Sequence, residues 1–231
     1  MLNKIFTVVV VVAALGVGAY YFIQHRSQLK QEPAQQQQQT GSETPAPAAT
    51  NDQTQTVASD TVVADFDTNA GKFTVTLDHK AAPKTVDNFV KLAKEGYYNG
   101  LKFHRILQDF VIQGGDPNSK DSDPSNDGYG GPGYTVPAEI GLKANKGAIA
   151  MASTAAGGPS SGSQFFIVTT ESKDNHDLLD GKYTVFGYVT SGMDIVTKIA
   201  ATPVEPNPDT MEPSIPLKPQ IINKITREES K

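Results

Sequence analysis

The chain has 231 residues, room for one large domain or two small ones, and its 38% hydrophobic content is enough for an ordinary soluble core. It contains no cysteine, which excludes disulfides, a thiol nucleophile and thiolate metal sites. A net charge of -5 leaves no basic stripe for phosphates and argues against nucleic-acid binding. Residues 5–23 form an almost unbroken apolar run that would span about 28 Å as a helix, close to the hydrocarbon thickness of a bilayer. This predicts one transmembrane helix. Lys4 precedes it and His25, Arg26 and Lys30 follow it, so positive charges do not set its orientation. An uncleaved anchor and a cleaved secretory signal both remain open, the latter because Val17-Gly18-Ala19 offers small residues where a peptidase could cut. The continuation through Tyr20, Tyr21, Phe22 and Ile23 favours the anchor, and the lack of cysteine excludes a lipoprotein anchor. Residues 24–60, rich in Gln, Thr, Pro, Ala and Ser, bury too little to order themselves and read as a disordered, flexible linker. The expected organisation is therefore an anchor at 1–23, a linker at 24–60 and one domain at 61–231.

Residues 61–66 and 71–77 read as a hairpin, since Phe73, Val75 and Leu77 alternate with Lys72, Thr74 and Thr76, and Asn69-Ala70-Gly71 supplies the turn. Ala82-Pro83-Lys84-Thr85 opens a helix to about Glu95, with Val86, Phe89, Val90 and Ala93 on one face and Gly96 after its end. The next stretch, residues 103–116, reads as two short strands. Arg105 shares a parity with Phe103 and Leu107, while Val111 and Gln113 share one face of the second strand and Phe110 and Ile112 the other. An arginine and an amide beside apolar side chains suit an extended, partly apolar peptide, although an ordinary strand pair with a surface arginine explains this stretch equally well.

A long loop at 116–137, rich in Gly, Pro and Asp, follows. Its Asp121, Asp123 and Asp127 invite a calcium reading, but an EF-hand starting at Asp121 or Asp123 needs a glutamate where Pro132 or Tyr134 stands, so no metal is assigned. Residues 147–153 read as a strand. Gly158-Pro159-Ser160-Ser161-Gly162 fits the pattern of a hydrolase nucleophile elbow, but a strand rather than a helix follows it, and only His25, His79, His104 and His176 could serve as base. That strand, at 164–169, puts Gln164, Phe166 and Val168 on one face and Phe165 and Ile167 on the other. A polar loop at 174–180, a strand at 183–189, an amphipathic helix at 193–201 bearing Met193, Val196, Ile199 and Ala200, a proline-rich connection and a last strand at 220–227 complete the chain. Many short strands, two well-separated helices and no βαβ alternation argue a mainly β protein with a closed or sandwiched antiparallel sheet.

Three motifs carry a family resemblance. Residues 103–116, then Met151-Ala152-Ser153 with residues 162–167, then Leu179-Asp180-Gly181-Lys182 with Val185-Phe186-Gly187, resemble in order the signatures of the cyclophilin-type peptidyl-prolyl isomerases. The resemblance, to a bacterial-like member, runs from about Val62 to about Thr226. It implies an eight-stranded closed antiparallel β-barrel capped by two α-helices, and rotation about the peptide bond before proline as the reaction, without a cofactor. By resemblance Arg105 is the catalytic donor to the twisted amide. Phe110, Val111, Phe166 and Leu179 are implied as proline-pocket walls, and Gln113 with the backbone near Ala152 and Ser153 as peptide anchors. Gln164 would sit beside Arg105, and His104, Leu178 and Tyr183 complete the implied substrate contacts.

Four positions depart from the common pattern: Leu178 stands where many members carry tryptophan, Tyr183 where many carry histidine, Ser153 for asparagine and Val111 for methionine. The first weighs against strong cyclosporin binding. The expected function is a monomeric, membrane-tethered prolyl isomerase acting on proline-containing polypeptides outside the cytoplasmic membrane. The alternatives are a catalytically idle proline-binding module and a hydrolase using Ser160.

Overall fold

The computed structural model describes residues 60–227, so the apolar run at 5–23 and nearly all of the linker at 24–60 lie outside the described residues. Among the described residues no helix is long and apolar enough to cross a membrane. Strand β1 (Thr61–Thr68) and strand β2 (Gly71–Asp78) pair in register from Thr61 opposite Asp78 to Thr68 opposite Gly71. Their alternation buries Val62, Ala64 and Phe66 against Phe73, Val75 and Leu77. Phe66 and Phe73 sit directly opposite and stack with ring centroids 4.6 Å apart. Gly71 lies at φ +141, and a Cβ there would come within 2.7 Å of Ile195 Cδ1, so the turn requires glycine for both backbone and space.

Helix α1 (Pro83–Lys94) has proline in its first turn, as the sequence predicts, and Gly96 at φ +71 returns its N–H to the Ala93 carbonyl. Its own N-cap residue, Ala82, makes no side-chain cap. The cap comes instead from Glu139, whose carboxylate accepts from Lys84 N at 3.1 Å and from Thr85 N at 2.9 Å.

The remaining strands are β3 (Arg105–Leu107), β4 (Val111–Gly114), β5 (Thr135–Val136), β6 (Ala148–Met151), β7 (Ser160–Ser161), β8 (Phe165–Val168), β9 (Val185–Ser191), β10 (Val204–Pro206), β11 (Pro213–Pro216) and β12 (Ile222–Arg227). Eight strands form one antiparallel sheet in the order β12-β1-β2-β9-β6-β8-β4-β3. The closed barrel expected from the sequence is corrected here. The sheet curls, but its edges β12 and β3 share no ladder and meet only through a bridge between Lys102 and Ile221 and neighbouring backbone bonds such as Phe103 N to Gln220 O at 2.8 Å. β3 is three residues long and turns away into the Leu107–Phe110 turn before a second edge could zip onto it.

Two helices are expected in the domain, and three α-helices are present among the described residues. The third is α2 (Lys173–Leu179), in the segment read as a polar loop; α3 (Met193–Ala200) is the predicted one. Seven residues are too few to show a helical period, yet Asp174 in the first turn, His176 in the last and the Lys173–Asp177 pair at 2.6 Å all suit a short helix. Two short 3-10 turns, Pro117–Lys120 and Pro124–Asn126, organise the long loop, and β5 in its last part pairs with β7. The proline-rich connection folds as the hairpin β10–β11.

The main core fills the inside of the curled sheet. Phe66, Phe89, Phe103, Phe165 and Phe186 meet there, Phe89 of α1 contacting Phe165 at 5.7 Å and Phe186 at 5.3 Å, while Val196 and Ile199 close it from α3. A second, smaller apolar cluster lies on the opposite face of the sheet and includes Val111, Ala150, Phe166, Leu179 and Val185.

Candidate active site

Strand register brings the predicted residues into one row. Arg105 on β3 is opposite Gln113 on β4, Gln113 is opposite Phe166 on β8, Phe166 is opposite Ala150 on β6, and Ala150 is opposite Val185 on β9. Opposed residues project to the same side of a sheet, so the row places a cation, an amide and an aromatic ring side by side over about 10 Å. The neighbouring row, Leu107, Val111 and Val168, lays apolar surface alongside. The faces follow the predicted parity: Ile106, Ile112, Phe165 and Ile167 point into the main core, while Val111, Phe166 and Val168 form the outer cluster. Two residues break parity because they precede their strands. Phe103 turns into the main core, and Phe110, in the turn that Asp109 makes at φ +56, joins the outer cluster.

The wall of the outer cluster is completed by Leu179 from α2 and by Tyr183, whose ring meets Phe166 edge to face at 5.2 Å. Burial raises the Tyr183 phenol above its ordinary pKa, and the Arg105 charge pulls it partly back. Leu178, on the same helix as Leu179, is 43% exposed. The backbone around it is tied down by Asp180, which accepts from Ala144 N at 2.7 Å and pairs with Lys143 at 3.0 Å.

The guanidinium of Arg105 is held on two sides. Gln113 Oε1 accepts from Nη1 at 3.2 Å, and Glu212 takes the other edge, with Oε2 accepting from Nε at 2.8 Å and Oε1 from Nη2 at 2.9 Å. Gln113 Nε2 then donates to Gln164 Oε1 at 3.0 Å, and Gln164 Nε2 donates to the carbonyls of Gly128 and Gly130 at 2.9 and 2.8 Å. Gln164 thus reaches Arg105 through Gln113. Glu212 had no role in the sequence reading. It lies 107 residues from its partner in the proline-rich segment, and no local pattern couples the two.

Other expected contacts sit apart from this row. The Ala152 N–H is committed to the Gln164 carbonyl at 2.9 Å, and the Ala152 carbonyl already accepts from Ser161 N at 2.6 Å. Ser153 Oγ bonds within its own loop, to the Ala155 and Pro159 carbonyls at 2.8 and 2.9 Å. The His104 side chain is buried beside Asp116, and neither ring nitrogen has a partner with hydrogen-bond geometry among the described residues. Burial pushes its pKa down to about 4, Asp116 opposing and Arg105 reinforcing the shift.

Asp116 itself is fully buried and organises the long loop, accepting from the backbone N–H groups of Asn118, Gly128 and Gly130. Desolvation and the charge of Asp116 raise the nearby Asp127 carboxyl to about 6. Asp121 and Asp123 accept from loop amides, and among the described residues no three His, Asp or Glu are gathered to hold a metal. Ser160, the nucleophile of the hydrolase alternative, is 1% exposed and donates to Thr184 Oγ1, and it has no hydrogen bond to a histidine among the described residues.

The family model described as cyclophilin type peptidyl-prolyl cis-trans isomerase matches residues 63–225. A peptidyl-prolyl cis-trans isomerase of Helicobacter pylori is 43% identical over 144 residues, 60% of this chain and 80% of that protein. Peptidyl-prolyl cis-trans isomerase B of Bacillus subtilis is 44% identical over 122 residues, 52% of this chain and 78% of the relative. The crystal structure of a Cryptosporidium parvum cyclophilin type peptidyl-prolyl cis-trans isomerase superposes with a TM-score of 0.63 at 29% identity, covering 74% of this chain and 99% of that one. The same parasite protein in the presence of the dipeptide Ala-Pro superposes with a TM-score of 0.61 at 29% identity, covering 73% and 99%. With Arg105, Gln113 and Phe166 of the family's motifs in one row of the curled sheet and its model spanning most of the chain, this protein belongs to the cyclophilin-type peptidyl-prolyl cis-trans isomerases.

Proposed function

We propose that the chain accelerates cis–trans interconversion of X-Pro bonds by electrostatic stabilisation of the twisted amide at Arg105, in polypeptides outside the cytoplasmic membrane. The uncatalysed barrier is roughly 18–20 kcal/mol and arises from amide resonance, so no covalent chemistry is required. As the bond twists, its nitrogen becomes pyramidal and gains a lone pair that a fixed N–H donor can approach. The observation that carries the reading is the row in which Arg105 and Gln113 stand beside Phe166. A proline ring over Phe166, between Val111, Leu179 and Tyr183, would put its amide within reach of the guanidinium. The Ala-Pro dipeptide present with the Cryptosporidium parvum relative supports that occupant.

The apolar run at 5–23 and the Gln-rich linker after it support a single-pass tether, with the bacterial-like domain working as a monomeric foldase. One observation favours a second reading, a module that binds proline segments without turning them: the carboxylate of Glu212 already occupies two donors of Arg105. Isomerisation of a short X-Pro peptide by the full chain separates the two readings. The expected result is acceleration that sediments with the membrane fraction, is flat between about pH 6 and 8, and falls about a hundredfold in Arg105→Ala. A folded wild-type chain that binds the peptide without accelerating it would establish the module, and activity only in the soluble fraction would remove the tether.

A further inference from the structure

Glu212 follows the tip of the β10–β11 hairpin, and the tip is built to hold it. Asn207 Oδ1 accepts from the N–H groups of Asp209 and Thr210 at 2.9 and 3.2 Å, and Asn207 N donates to the Glu212 carbonyl at 2.8 Å. The Glu212 N–H donates to Thr210 Oγ1 at 3.3 Å, and Ser214 Oγ donates to the Glu212 carbonyl at 3.3 Å. Met211 takes the left-handed conformation, φ +60, just before it. With its main chain pinned at both ends, the side chain reaches the Nε–Nη2 edge of Arg105 as a two-oxygen fork. The pair is only partly solvated, with side chains 30% and 20% exposed.

An arginine has five N–H donors in one plane. Glu212 takes two and Gln113 one, which leaves one N–H on Nη1 and one on Nη2 without a partner among the described residues. Those two belong to the terminal nitrogens, in a plane that the carboxylate holds along the Nε–Nη2 edge and the amide holds at Nη1. We infer that Glu212 is a positioning residue for the isomerisation, holding the guanidinium plane so that its terminal donors meet the X-Pro amide. The inference rests on the isomerase reading above. A carboxylate has no proton to donate, so Glu212 acts through Arg105 and not on the substrate. What it supplies is orientation, since a free arginine would have to lose rotamer freedom as the amide twists.

The test is steady-state isomerisation of an X-Pro peptide by the full chain over a range of peptide concentrations. Glu212→Gln keeps the size of the side chain but replaces one arm of the fork with a donor. It should lower kcat about tenfold and leave KM within about twofold. In an Arg105→Lys background the same change should cost less than about twofold, because lysine has no planar edge to orient. A Glu212→Gln rate equal to wild type overturns the inference, and a rate above wild type overturns it in favour of a carboxylate that competes with the substrate. A loss confined to KM, or one that persists in full in the Arg105→Lys background, also overturns it. An inactive wild-type chain overturns the isomerase reading and this inference together, whereas an active wild type with an indifferent Glu212→Gln overturns the inference alone.

Discussion

Replacing Glu139 with alanine removes a cap that the sequence around helix α1 cannot supply. The helix starts at Pro83, its N-cap residue Ala82 has no acceptor, and its first turn contains no acidic side chain. One carboxylate from 54 residues away binds Thr85 N at 2.9 Å and Thr85 Oγ1 at 2.8 Å, and its other oxygen takes Lys84 N at 3.1 Å. The Glu139 main chain is fixed in turn, its N–H donating to Thr184 Oγ1 at 2.8 Å. Losing a cap costs about 1 kcal/mol. A charge at a helix N-terminus adds about 0.3–1 kcal/mol. With partial replacement by water at this half-exposed end, Glu139→Ala should cost about 1.5 kcal/mol, which for a unit of this size lowers Tm by about 3–6 °C. Glu139→Gln, which keeps one acceptor, should cost about half as much. Urea unfolding with an unchanged m-value measures the loss, and isomerase rates well below Tm should not move, since no residue of the Arg105–Gln113–Phe166 row lies on α1. A cost below about 0.5 kcal/mol for Glu139→Ala would mean that water serves the helix end as well as the carboxylate does, and would refute the reasoning.

Phe166→Leu keeps an apolar side chain in the outer cluster but removes the edge-to-face contact with Tyr183, an interaction of about 1 kcal/mol. The chain should stay folded while KM for a proline peptide rises about fivefold, and an unchanged KM would remove Phe166 from the pocket. His104 sets an acid limit on stability. Its folded pKa of about 4 lies below the ordinary value of 6.5, so the unfolded chain takes up a proton first as pH falls. Its contribution is complete above about pH 6.5 and lost by about pH 4, on the order of 3 kcal/mol. Asp127 works in the opposite sense: its folded pKa of about 6 lies above the ordinary value of 3.8, so acid relieves its burial over part of the same range. Asp127→Asn should therefore be more stable than wild type above about pH 6 and lose stability more steeply between about pH 6.5 and 4. Equal slopes in urea titrations of the two proteins would contradict this account.

Local pattern carried the elements that place the site. Alternation in β2 and β8 and the parity of Arg105, Val111 and Gln113 gave the correct faces, because each strand buries one side and a shift of one residue would expose the core. Pattern failed where an element was too short or too poor in apolar residues to show a period. Helix α2 has one buried residue, Leu179, and β10–β11 carries three prolines in seven strand positions. Closure of the barrel was overstated for a related reason: the strand count was sound, but whether two edges zip depends on the length of β3, only three residues.

What the sequence could not reveal is what each polar group of the site does with its hydrogen bonds. Arg105, Gln113 and Gln164 were found as isolated side chains, and their ties are a relay from Glu212 through Arg105, Gln113 and Gln164 to the Gly128 and Gly130 carbonyls. Every link but that between Arg105 and Gln113 joins residues at least 34 positions apart. Side-chain networks of this kind are strong only when each member is satisfied, so orientation at Arg105 depends on two peripheral loops that no motif marks. The hairpin tip fixes one end through Asn207, and the loop ordered by Asp116 fixes the other. Arg105, the proposed catalytic donor, is thus presented by a short edge strand, while the groups that hold its guanidinium depend on segments that the sequence shows only as proline-rich and glycine-rich connections.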